Sequence, residues 1–225
     1  MKLRKLALGM SLLVLAGGAT IAQAQFKLPG ALGGASSSGS SDAAVTSDAL
    51  VTSFIQSNTQ ILTAQKFLAL AYDQKDKAAL LESEAKALQS DGVGADELKK
   101  AVELSQKTNE ELAAKQAEKA KLSEQEKQYY VQSLPYFVRG VAGTKKLVGE
   151  VASFGSSSKQ SMMGGGLSAL RGGMGKLKEA MVIAKATPGY SKSVFDTFRK
   201  TVMIGKSNKV KMPADATAAL AGLAP

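Results

Sequence analysis

Apolar residues recur along this chain at alternating intervals of three and four, the spacing that places side chains on one face of an α-helix. The first such stripe is Val51, Phe54, Asn58, Ile61, Gln65, Leu68 and Tyr72, widened by Ile55, Leu62 and Ala69. It predicts a helix over 42–72. Asn58 and Gln65 are polar positions inside an otherwise apolar seam. They read either as interhelical hydrogen bonds that set register or as ligand contacts in a bundle core. Register is the preferred reading, because single polar residues commonly play that part in such seams.

A second helix is predicted over 76–89, with Leu81, Ala85 and Leu88 inward. It stops at Ser90-Asp91-Gly92, where glycine accepts the left-handed conformation without a Cβ clash. A third spans 95–121, with Asp96 and Glu97 at the positive end of its dipole. Its apolar face of Leu98, Val102 and Leu112 is thin, so it reads as a mostly solvated helix or as one arm of a projecting hairpin. The short break at 91–94 favours antiparallel neighbours.

Ser123-Glu124-Gln125-Glu126 is a capping box. It opens a fourth helix over 124–154, whose stripe is Tyr130, Leu134, Phe137, Val141, Thr144, Val148 and Val151. That stripe repeats the spacing of the first, so these two helices are the expected core partners. Pro135 inside it predicts a kink. Gly140, Gly143 and Gly149 are expected to let another backbone approach closely, at a cost in helix propensity of about 1 kcal/mol each.

Residues 155–175, rich in Gly, Ser and Met, are expected to be flexible. Two more helices follow, over 176–186 and 188–205, with Thr187-Pro188 as N-cap and first residue of the second. Met212-Pro213 opens a short terminal helix. No alternating run signals a strand, and no period of 20–50 residues signals a solenoid. The predicted fold is all-α: a single-domain bundle of about five or six helices, mostly antiparallel, over 42–225.

The N-terminus has a different pattern. Met1 to Lys5 is basic, Leu6 to Ala16 is apolar, and Ala22-Gln23-Ala24 offers the small residues that a signal peptidase needs. Residues 1–24 therefore read as a cleaved signal peptide and 25–41 as a flexible Gly/Ser/Ala tether. The apolar run is shorter than the ~20 residues that a bilayer requires. No later segment approaches a membrane span, so the expected location is the periplasm or the exterior.

Composition then narrows the chemistry. The 225 residues include no His and no Cys, so disulfides, imidazole or thiolate metal sites, and Ser-His-Asp or Cys-His centres are closed to the chain. Gly205-Lys206-Ser207 ends like a phosphate loop, but Lys200 stands where its first glycine is required. Ser156-Ser157-Ser158-Lys159 matches SxxK, yet neither SDN nor KTG occurs in the chain. No catalytic residue, cofactor or metal is expected.

The formal net charge is +10, and three of these units (Lys2, Arg4 and Lys5) leave with the signal peptide. An exported protein has little access to chromosomal nucleic acid. The remaining surplus points instead to an envelope protein or an anionic lipid or glycolipid surface. Met162, Met163, Arg171, Met174, Lys176, Lys178 and Lys185 are the candidate partner-binding residues, in a basic, Met-rich stretch. A likeness in composition to small cationic envelope chaperones matches no motif residue by residue and assigns no family. The expectation is a non-enzymatic helical envelope protein. A chaperone-like holdase or peripheral lipid binder is one alternative, and an enzyme using carboxylate or lysine chemistry is another.

Overall fold

Thr46 accepts the amide of Ala49 through its hydroxyl and so starts α1 (Ser47–Ala71). The structure, a computed structural model, describes residues 45–119, 121–163 and 174–223, with the backbone path alone over 157–163 and 174–175. The signal peptide and tether lie outside the described residues. Five helices follow α1: α2 (Lys75–Ala87), α3 (Ala95–Glu118), α4 (Glu124–Met163), α5 (Met174–Ser207) and α6 (Ala214–Ala221). No strand occurs among the described residues. The protein is an all-helical bundle.

All seven positions of the α1 stripe are buried, Asn58 and Gln65 completely. α1 packs most extensively on α4, as the matching stripes predict. Ser57 meets Thr144 at one end of this interface and Tyr72 meets Tyr130 at the other, so the two helices are antiparallel. Gly140 and Gly143 sit where α1 comes closest. A Cβ on Gly140 would lie 3.2 Å from the backbone nitrogen of Ile61, and one on Gly143 would lie 3.0 Å from Ser57 Cβ. Gly149 faces open space and serves no close approach.

The α4 stripe holds from Tyr130 to Thr144 and then departs from prediction. Val148 is 41% exposed, and Leu147 is buried in its place. The capping box forms as expected: Glu126 accepts the Ser123 amide, and Ser123 accepts the Glu126 amide.

Three expectations need correction. α4 continues to Met163 rather than ending at 154. Gly155 is the only glycine or proline between 155 and 163, and the Ser156 hydroxyl folds back onto the Ser153 carbonyl, so nothing there forces a stop. The rest of the expected flexible segment, 164–173, lies outside the described residues. Thr187-Pro188 does not begin a helix but lies within α5. The Thr187 hydroxyl bonds to the Ile183 carbonyl, and Ser191 bonds to that of Pro188. Pro188 is on the exposed side, so the carbonyl it leaves unpaired is near solvent, while Ile183, Tyr190 and Val194 anchor both flanks in the core. Packing outweighs the local signal. α4 likewise carries Pro135 without ending.

α3 is the third correction. It is neither largely solvated nor a projecting arm, because it packs along α5 and α1. Its contact face mixes Leu98, Ala101, Val102 and Leu112 with buried Ser105, Thr108, Asn109 and Gln116. Consecutive helices alternate in direction. However, Asn109 meets Ser193 and Gln116 meets Thr201, so α3 and α5 run parallel, and the bundle is less uniformly antiparallel than expected.

α5 ends in a tight cap. Val210 N–H donates to the Gly205 carbonyl and Lys209 N–H to that of Lys206, which places Lys209 at φ 57°. This left-handed position favours glycine. Lys209→Gly is expected to raise stability by about 0.5–1 kcal/mol, read as a higher urea midpoint at unchanged m-value.

Candidate surface site on α5

The interior polar residues form a connected seam. Gln65 Nε2 donates to the Ser105 carbonyl at 2.8 Å and to Asn109 Oδ1 at 2.7 Å, and Asn109 Nδ2 reaches Ser193 Oγ at 3.0 Å. One turn pair further along, Gln116 Nε2 donates to the Tyr130 and Thr201 hydroxyls. Toward the other end, the Tyr190 hydroxyl donates to Asn58 Oδ1 at 3.0 Å. The layers of this seam tie α1, α3, α4 and α5 into one register. Asn58 Nδ2, Gln65 Oε1 and Gln116 Oε1 find no hydrogen-bond partner among the described residues, so the seam specifies alignment at some cost in stability. Asn58 and Gln65 are thus both buried and hydrogen-bonded to other helices. Burial raises the pKa of Tyr130, which the neighbouring Tyr72 reinforces, and burial alone raises that of Tyr190 against the hydroxyls of Thr144 and Ser57. These phenols stay protonated at neutral pH, the Tyr190 hydroxyl donating to Asn58 and that of Tyr130 accepting from Gln116.

The outer surface has a different organisation. Residues 42–119 contain 13 acidic against 9 basic residues, whereas 120–225 contain 16 basic against 6 acidic. In the second part the charge gathers on α5. Lys178, Met181, Lys185, Lys192, Arg199, Lys200, Met203 and Lys206 recur at helical spacing, which places them in one sector about 120° wide. Asp196 is the one acid among them, and it binds Lys192 at 3.3 Å and Arg199 at 3.0 Å. Arg199 also donates to the Leu223 carbonyl. Lys178, Lys185, Lys200 and Lys206 have no ion-pair partner among the described residues. Met181 and Met203 are 61% and 67% exposed, the two most exposed large hydrophobics described.

Of the candidate residues read from sequence, Lys178 and Lys185 share this face. Lys176 points to the opposite side of the helix and pairs with Glu179 at 3.1 Å. Met174 begins α5 and Met162 and Met163 end α4, with only their backbones described, while Arg171 lies outside the described residues. Sequence reading missed Met181, Lys192, Arg199, Lys200, Met203 and Lys206 as one site. Their spacing was legible, but a helix break at Thr187-Pro188 would have cut the stripe in two. Where the first turns of α4 meet residues 209–211, an open cleft of about 430 Å³ adds Lys127, Lys209 and Lys211 around a 39% exposed Val131.

Among the described residues no acidic cluster could hold a metal ion, and no helix is long and apolar enough to cross a membrane. Comparison of the chain with protein-family models, with curated proteins and with solved structures finds no match.

Proposed function

We propose that this is an exported, non-enzymatic helical protein that docks on an anionic envelope surface through the outer face of α5. One observation carries the reading: six cations and two exposed thioethers occupy a single sector of a 34-residue helix, opposed by one acid. A helix of that length extends about 50 Å. Lysine ammonium groups can pair with phosphate headgroups while their alkyl stems and the methionine side chains settle into the interface. The buried side of the same helix is held by Ile183, Tyr190, Val194, Phe198 and Val202, so docking needs no unfolding. The other large exposed hydrophobics, Leu80, Val131 and Val148, are spread over α2 and α4 and form no apolar patch on α5, which favours a charged surface over an unfolded client.

The test is vesicle sedimentation of the protein lacking residues 1–24. Vesicles containing phosphatidylglycerol should retain it at low salt and release it at about 0.5 M, where screening shortens the Debye length to a few ångströms. Vesicles of phosphatidylcholine alone should not retain it. Each of Lys178→Ala, Lys185→Ala and Lys200→Ala should weaken binding about fivefold. Equal loss from Lys75→Ala on α2 would point to net charge rather than to the α5 face.

A further inference from the structure

We propose that Met181 and Met203 form a paired oxidation site whose conversion to sulfoxide releases α5 from an anionic surface. This rests on the docking reading above. The two thioethers are 61% and 67% exposed, and the helix sets them about 33 Å apart on the same face. Each has lysines within one or two turns on both sides: Lys178 and Lys185 around Met181, Lys200 and Lys206 around Met203. The cations supply long-range attraction, and the methionines supply the only large apolar groups exposed on the face among the described residues. Met212 provides an internal contrast. It is half-buried, and its sulfur lies 3.6 Å from where a Cβ on Gly205 would be, next to the Tyr130 ring.

The chemistry closes with a peroxide as oxidant. A sulfur lone pair attacks one peroxide oxygen and the O–O bond breaks. An S=O bond forms, and the second oxygen leaves as water once protonated. Sulfur loses two electrons and the peroxide gains them. The product is polar and no longer favours the interface, whereas every lysine keeps its charge. Oxidation therefore removes the apolar share of binding and leaves the electrostatic share. The affinity should fall by at least about tenfold while the slope of log affinity against log salt stays the same.

The experiment treats the same protein with hydrogen peroxide, maps each methionine by peptide mass, and measures retention on phosphatidylglycerol vesicles over a salt series. Met181 and Met203 are expected to oxidise ahead of Met212, with affinity falling in step with them. Met181→Leu/Met203→Leu should hold the same affinity before and after peroxide treatment, and Met181→Gln/Met203→Gln should bind like the oxidised protein without any treatment. Retention that survives full oxidation of both residues overturns this inference alone. So does a Leu variant that remains peroxide-sensitive, or oxidation of Met212 at the same rate. If the untreated protein is not retained at all, the docking reading fails and takes the inference with it.

Discussion

Raising the pH from 10 to 11 is expected to destabilise the bundle by about 2 kcal/mol. Tyr130 and Tyr190 are completely buried, and burial holds both phenols protonated well above the ordinary tyrosine range. In the unfolded chain they titrate near pH 10. Above that pH the unfolded state loses protons that the folded state keeps. Stability therefore falls with rising pH, with a slope for each such group that approaches about 1.4 kcal/mol per unit above pH 11. The contribution is complete below pH 10 and declines above it. Tyr72, shifted in the same direction chiefly by burial, adds to the slope. Urea titrations at pH 9, 10 and 11 measure the loss directly. Tyrosinate absorbance from these residues should appear together with the loss of helical circular dichroism. Tyr190→Phe should reduce the alkaline slope by about 1.4 kcal/mol per unit. A bundle that shows full tyrosinate absorbance with its helicity intact would rule out this burial.

Gly140→Ala is expected to cost about 2 kcal/mol. Alanine improves helix propensity by about 1 kcal/mol. Its methyl group, however, would lie 2.8 Å from Ile61 Cγ1 and 3.2 Å from the Ile61 backbone nitrogen. A side chain can change rotamer, but the backbone of α1 moves only if the α1–α4 seam opens, and overpacking of this kind costs about 1–3 kcal/mol or more. Ile61→Ala alone leaves a cavity and should cost about 2–5 kcal/mol. The double variant should cost less than the sum of the two, since each change relieves the other. Gly149→Ala, which meets open space on the same helix, should stabilise slightly. If Gly140→Ala stabilises as much as Gly149→Ala, the close approach is absent. Thermal melts of the four variants give the comparison.

Local patterns were legible where a single helix had to satisfy a single partner. The α1 stripe, its pairing with α4, the Ser123–Glu126 box and the close approach at Gly140 and Gly143 all follow from spacing and local hydrogen bonding. Polar residues were harder to read. Ser105, Asn109 and Gln116 resemble a solvated face in sequence, because nothing in α3 itself reveals that Gln65, Ser193, Tyr130 and Thr201 will meet them. A polar side chain is buried when its partner is present, and these partners come from helices far along the chain.

The same division applies to the candidate surface. The sequence by itself determined the helical class, the absence of imidazole and thiol chemistry, and a basic surplus weighted to the second half. Those properties depend on composition and on periods of a few residues. Only the tertiary structure decided that α5 runs unbroken past Pro188, because burial of Ile183, Tyr190 and Val194 on both sides outweighs the missing backbone donor. That continuity joins Lys178 to Lys206 into one face and leaves Lys176 on another. Local chemistry sets which residues are charged or apolar, and packing sets which of them share a surface.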